Sequence, residues 1–477
     1  MNKKMTTVAL AGLMAVSSGL SASASRWGGL GLISTFVADV QDVWTLPTAL
    51  LDNGDALYVE YGALVANTAG GSTAGANNQG AAAWGGVHFS SLGGQVGLWT
   101  GRALAANLIT VGQGAYAINT LTVGSAAPAA AANTNLGVAG QGFAGLVSDI
   151  DLLWGMNVND NTQLAIGINK SSDTRVANFK RAGIAAADAN ARNATEASST
   201  GSGFGFSVGL GMSELGALSG LWAGLAIQTA SLEDKYTDDG AVAAATKQEQ
   251  KDTANALTLN LRVAGEAAGD DNMSNLFDLN VDYESAETKF ADGLDGNADG
   301  TIAATEKNLA TVKNAGMNVA LGWAMMGSGE KGMGAAGLIV NFGNMSNEIS
   351  AASVAGVNQA LSKYETSNIG LNWAAGAEVK AKDYMTVRAG VSGDIFGTNS
   401  RKNTVTPTTG LAVVDEANGH VPGAATASLG VGIALGDVMI DGVVNRDFLY
   451  SGPFFIGGVA EGINTQVSLT YAWGGEE

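Results

Sequence analysis

Gly203-Phe204-Gly205-Phe206-Ser207-Val208-Gly209-Leu210-Gly211-Met212 alternates without a break, with Phe204, Phe206, Val208, Leu210 and Met212 on one side and only glycine or serine on the other. Side chains of an extended strand point to opposite faces in turn, so one face of this stretch is oily and the other is small. The same period of two recurs upstream at Ile150, Leu152, Trp154, Met156 and Val158. Downstream, Leu257, Leu259, Leu261 and Val263 stand opposite Thr258, Asn260 and Arg262, and Phe277, Leu279, Val281 and Tyr283 face away from Asp278, Asn280, Asp282 and Glu284. Met317 to Met325, Ile369 to Trp373, Met385 to Val391, Leu429 to Ile433 and Val467 to Trp473 continue the series.

Extending this rhythm along the chain predicts strands at residues 57–63, 83–91, 95–103, 148–158, 161–171, 202–213, 218–230, 254–265, 274–285, 315–326, 333–345, 366–379, 383–396, 424–435, 437–447 and 463–473, sixteen in all. A soluble sandwich would alternate in the same way, because each of its sheets hides one face and wets the other. The connections separate the two architectures. Short ones, such as residues 159–160, 214–217, 380–382 and the lone Gly436, alternate with long ones at 104–147, 172–201, 286–314 and 397–423. Tight turns at one end and long loops at the other are the pattern of a transmembrane antiparallel β-barrel. All five prolines (Pro47, Pro128, Pro407, Pro422, Pro453) fall outside the predicted strands, as expected where every ladder needs its backbone donors. Trp154, Trp323, Trp373 and Trp473 fall on the apolar face, where membrane interfaces collect aromatic rings. The tracts at 67–83, 126–135 and 185–202 are low in complexity and are expected to be loop material.

Composition narrows the function. The 477 residues carry 24 Lys+Arg against 43 Asp+Glu, a net charge of -19, with no basic run of the kind that nucleic acid requires. The lack of Cys excludes disulfide scaffolds, thiolate metal sites and cysteine nucleophiles. His88 and His420, the only two histidines, have no recognisable catalytic partners nearby, so no enzyme activity is expected. Residues 1–24 read as a secretory signal, with Lys3 and Lys4, an apolar stretch from Val8 to Val16 and a small-residue Ala22-Ser23-Ala24 site. No later stretch approaches the roughly 18 apolar residues of a membrane helix. An exported chain that is 46% hydrophobic needs either a large soluble core or a lipid-facing wall.

Residues 28–62 hold Gly28-Gly29, Asp39, Asp42, the turn Leu46-Pro47-Thr48-Ala49-Leu50 and a strand Tyr58-Val59-Glu60-Tyr61-Gly62. This start resembles long-chain fatty acid transporter-like outer-membrane proteins, although the turn lacks the Asn and Gly of that family. The resemblance implies that residues 25–56 form an N-terminal plug, with the barrel occupying 57–477, and that hydrophobic compounds are a conceivable cargo. Phe448-Leu449-Tyr450 and Phe454-Phe455-Ile456 around Gly452-Pro453 would suit such a cargo or pack over the barrel mouth. Fourteen strands would result if the first hairpin belonged to the plug. The terminal Tyr471-Ala472-Trp473 resembles the aromatic-ended final strand that barrel-assembly machinery reads in Gram-negative outer-membrane proteins, but here Gly474-Gly475-Glu476-Glu477 follow it.

Two sets of candidate site residues emerge. The inward positions of the alternation carry Asp151, Asp278, Asp282, Glu284, Glu378, Asp394 and Asp441 against Arg262, Lys380 and Arg388, an acidic excess that would favour cations if it lines an aqueous path. The same groups could instead pair across the barrel and stiffen the wall. The second set is Asp295-Gly-Asn297-Ala-Asp299-Gly300-Thr301-Ile302-Ala-Ala-Thr-Glu306, which fits the calcium-binding EF-hand loop. Oxygen ligands stand at its first, third, fifth and last positions and a glycine makes the sharp turn. Phe290 and Leu294 before it, with Leu309 and Val312 after it, are candidates for flanking helices. Gly-rich strings such as 327–332 lack the Ser or Thr of a phosphate loop and are set aside. The expectation is an outer-membrane, porin-like channel for small solutes. Uptake of hydrophobic compounds and a closed barrel acting as a surface adhesin or secretion accessory are the alternatives.

Overall fold

The computed structural model describes residues 30, 36, 40–61, 83–101, 148–181, 192–238, 248–268, 272–294, 307–353, 361–406, 413–420, 423, 425–444 and 464–473. The expected signal at 1–24, the calcium-type motif at 295–306 and the apolar stretch at 448–456 lie outside them.

Seventeen strands follow one another: β1 (Ala56–Tyr61), β2 (Ala83–Ser91), β3 (Gly94–Thr100), β4 (Ser148–Asn159), β5 (Thr162–Arg181), β6 (Arg192–Leu215), β7 (Leu218–Asp238), β8 (Gln248–Ala268), β9 (Met273–Leu294), β10 (Lys307–Gly329), β11 (Gly332–Ser353), β12 (Leu361–Lys382), β13 (Met385–Thr406), β14 (Val413–His420), β15 (Ala425–Leu435), β16 (Val438–Val444) and β17 (Asn464–Ala472). Each pairs antiparallel with its neighbour, and β17 returns to β1 with Ala472 opposite Ala56. Closure leaves no strand edge in the ring, which is what a sheet surrounded by lipid requires. β13 serves two partners. Its first half, from Met385 to Gly393, pairs with β15, and its second half, from Thr398 to Val405, pairs with β14. The ring therefore has sixteen members, with β14 outside it. A bulge at Ile395 marks the fork, where Ile395 and Phe396 are both exposed.

The two faces are reversed relative to a soluble protein. Leu57, Val59, Phe204, Phe206, Leu210, Leu321, Trp323, Phe342, Ile369 and Leu469 are exposed on the outside, while Glu60, Asp151, Asp278, Arg388, Asp441, Ser468 and Thr470 are buried within. An oily exterior around a polar interior is a bilayer-spanning wall, and none of the strands contains proline. Tight turns, among them Leu92-Gly93 with positive φ at both residues, gather at the end where the chain enters β1 and leaves β17.

The sixteen predicted strands coincide with the ring, but their lengths do not. β5 to β13 run 20 to 24 residues, about twice the 9–11 that cross a bilayer. The loops expected at 172–201, 286–314 and 397–423 are largely ladder, and His420 ends β14 rather than lying in a loop. The flanking helices expected around the calcium-type loop are likewise absent: Phe290 and Leu294 belong to β9, and Leu309 and Val312 to β10, with Leu309 opposite Ala291. Beyond the membrane both faces of a strand are wet, so pairing continues there without alternation.

Inside the ring, residues 40–53 form two 3-10 helices, Val40–Trp44 and Pro47–Asp52. Pro47 opens the second helix, where its missing N–H is not needed, and Asn53 closes it by donating to the Ala49 carbonyl at 2.7 Å. Val43 and Leu50 are fully buried with Tyr58, Trp99 and Leu153 of the wall. Leu30 and Phe36 are buried with Leu276, Ala324, Ile339 and Ala374 on other strands. The small inner face makes room for this segment. A Cβ on Gly224 would fall 1.8 Å from the Thr45 carbonyl oxygen, and one on Gly390 would fall 1.9 Å from that of Leu30.

Candidate functional site

Among the described residues, three polar constellations stand out on the inner wall. The first centres on Arg262 of β8, which lies between Gly224 of β7 and Asn280 of β9. Its Nη1 donates to Asp42 of the first 3-10 helix and its Nε to Asp278 Oδ2 of β9 at 2.7 Å. One guanidinium thus holds a wall carboxylate and a carboxylate from the enclosed segment. Its side chain is 12% exposed, so both pairs act in a largely dry setting.

The second centres on Arg388 of β13. Nε donates to Glu378 Oε2 of β12 at 2.6 Å, and Nη1 donates to Asp441 of β16. β15 lies between Arg388 and Asp441 and presents only Gly430 and Gly432 beneath them. A Cβ on Gly432 would meet both Asp441 Oδ1 and Arg388 Nη1, at 2.5 and 2.8 Å.

The third has no base. On β9, Asp282 accepts from Asn260 Nδ2 of β8 and, at 2.8 Å, from Asn280 Nδ2, while Asn260 Nδ2 also reaches Asn280 Oδ1 at 2.8 Å. Glu284 follows two residues along, opposite Thr258.

The structure therefore brings together Arg262 with Asp278, and Glu378 with Arg388 and Asp441, and it keeps Asp282 beside Glu284. Lys380 stands apart near the β12–β13 turn, with Nζ 3.9 Å from Asp383 Oδ1 and its side chain 54% exposed. Asp151 is buried on β4 opposite Trp99, and Asp394 adjoins the β13 bulge. The possible metal ligands Asp295, Asn297, Asp299, Thr301 and Glu306 lie outside the described residues.

Some participants were not singled out as wall charges. Asp42 is one, singled out only within the transporter-like N-terminal segment and not as a partner of the wall. Glu60, fully buried and accepting from the Tyr58 hydroxyl, sits where the alternation of β1 puts an inward residue. His88 packs edge-on to Trp99 at 4.8 Å, within an aromatic group that includes Trp44, Tyr58 and Trp84. In the enclosed segment, burial pushes the Asp52 carboxyl up to about 6, partly offset by a hydrogen bond from Gln163.

No family model matches the sequence, and no curated protein sequence does. Among solved structures, the chain is similar to a FadL homologue from Pseudomonas aeruginosa, with 11% identity over 95% of this chain and 99% of that one at a TM-score of 0.34. It is also similar to the ferric yersiniabactin uptake receptor FyuA from Yersinia pestis, with 8% identity, 87% and 79% coverage and a TM-score of 0.34. A further likeness is to the outer membrane protease OmpT from Escherichia coli, with 9% identity, 66% and 98% coverage and a TM-score of 0.25.

Proposed function

We propose that the protein is a solute channel of the outer membrane whose path is narrowed by its own N-terminal segment. The observation that carries this reading is the Asp42–Arg262 contact inside a closed, oily-sided ring. A barrel spans the bilayer without needing an internal segment, whereas a segment held by one ion pair and by apolar packing can regulate what passes. The path prefers small cations. Among the described residues, Arg262 and Arg388 are each claimed by two carboxylates, while Asp282 and Glu284 have no basic partner and set the potential above them. The chemistry is passage rather than catalysis, with lipid outside and small solutes within.

Planar-bilayer recording in a KCl gradient tests the reading. Expected are discrete conductance steps and a reversal potential on the cation side. A silent bilayer containing folded, inserted protein would overturn the channel and favour a closed barrel working through its surface. An anion-side reversal potential would overturn the cation preference alone.

A further inference from the structure

We infer that Thr258, Asn260, Asp282 and Glu284 form a binding site for a hard divalent cation of the calcium class on the inner wall of β8 and β9. Thr258 stands opposite Glu284 and Asn260 opposite Asp282, all on the inward face. Directly opposed residues have Cβ atoms about 4.5–5.5 Å apart, and positions two apart on a strand are separated by roughly 7 Å. Four oxygen-bearing side chains thus stand at neighbouring positions of one face, within reach of a single bridging cation with ligands at about 2.3–2.6 Å.

Two independent observations point to a missing ligand. Thr258 Oγ1 and Asn260 Oδ1 are buried with no hydrogen-bond partner, in residues only 6% and 8% exposed. Buried oxygens of this kind are normally satisfied. The Asn260 amide is held in place because its nitrogen donates to Asp282 and to Asn280 Oδ1, which leaves its oxygen as the unsatisfied atom. The second observation is charge. Asp278, Glu378 and Asp441 each contact an arginine, whereas among the described residues neither Asp282 nor Glu284 has a basic partner within 4 Å. Two neighbouring carboxylates in a partly desolvated wall need positive charge, and oxygen-only donors select hard cations over soft ones. With two neutral donors and two charged ones, affinity falls in the weak range, with a Kd of roughly 10⁻⁴ to 10⁻³ M.

The site deepens the cation-path reading and rests on it for access to the ion. Calorimetric titration of CaCl₂ into the purified, detergent-solubilised full chain in potassium buffer tests it. An Asp295→Ala/Glu306→Ala background removes the first and last candidate ligands of the loop at 295–306. In that background, calcium binding should persist, fall at least tenfold with Asp282→Asn/Glu284→Gln, and fall several-fold with Thr258→Val. Heat-modifiable electrophoretic mobility reports whether each variant is folded, and Thr258→Val, which leaves both carboxylates in place, carries the test if the double substitution does not fold. Absence of millimolar binding in the Asp295→Ala/Glu306→Ala background, or binding unchanged by the β8–β9 substitutions, overturns the site. Protein that binds calcium there but does not conduct sinks the channel reading and leaves the site standing, whereas conduction without binding sinks the site alone.

Discussion

Arg262 and Arg388 are chemically alike and structurally opposite. The Arg388 guanidinium is buried and that of Arg262 largely so, and each holds two carboxylates through Nε and Nη1. Arg388 joins β12, β13 and β16, so all three groups belong to the wall, and Gly430 and Gly432 clear the way across β15. Arg262 joins β8 and β9 to Asp42, which belongs to the enclosed segment. The same interaction is a rivet in one place and a latch in the other. What differs is whether the third partner can leave without the ring opening.

Replacing Arg388 by alanine should have the largest effect, because it removes the base shared by the buried Asp441 and the partly buried Glu378 in the wall. Removing one partner of such a buried pair costs about 3–5 kcal/mol, which should show as a lower urea midpoint for loss of the folded electrophoretic band. Arg262→Ala should lower that midpoint less, because Asp42 can withdraw with its segment. Its main effect should be a higher mean conductance and faster protease cleavage near residues 40–53. If the two variants destabilise the ring equally, the distinction between rivet and latch fails. Adding Asp42→Ala to Arg262→Ala should recover part of the lost stability while keeping the raised conductance, since it removes a carboxylate left without its base. A double variant less stable than either single one would show that Asp42 does more than pair with Arg262.

The smallest effect expected is on pH dependence. Burial raises the Asp52 carboxyl from 3.8 to about 6 in the docked segment, so docking favours its protonated form. Asp52 therefore supports docking most below about pH 4, and this support is lost as pH rises through about 6. Asp52→Asn should flatten the rise of conductance with pH across that window. An unchanged pH profile would place the pH-sensitive contact elsewhere.

How much of this was legible in the sequence varied from one part of the barrel to another. Gly203 to Met212 disclosed both faces, because lipid presses on one side and the segment on the other, and both pressures select side chains at alternate positions. Residues 192–201, the continuation of the same strand, read as a loop because Arg-Asn-Ala-Thr-Glu-Ala-Ser-Ser-Thr-Gly has no apolar period to detect. β14 went unseen for the same reason, since seven of its eight residues are exposed. Arg262 and Asp278 were recognisable as inward charges, but their third partner was not. Asp42 lies 220 positions from Arg262, and no local pattern encodes that meeting. The β9–β10 tip shows the reverse error, where a calcium-type loop motif suggested helices and the flanking residues zip as strands.

The seam between β1 and β17 adds a consequence for how the molecule is made. It joins the first described strand to the last, Ala56 to Ala472 and Tyr61 to Val467, and contacts so distant in sequence form late. Tyr58, on the first side of that seam, is packed with Trp84, Trp99 and the residues of the enclosed segment. The cylinder therefore finishes by wrapping around a piece of itself that was synthesised first, much as a mould closes on its core. Because the chain has no cysteine, a single introduced pair at Val59 and Leu469, which face each other across the seam, would time that final step. Cross-linking should lag behind the appearance of strand signal during refolding, and simultaneous appearance would mean that the seam forms early.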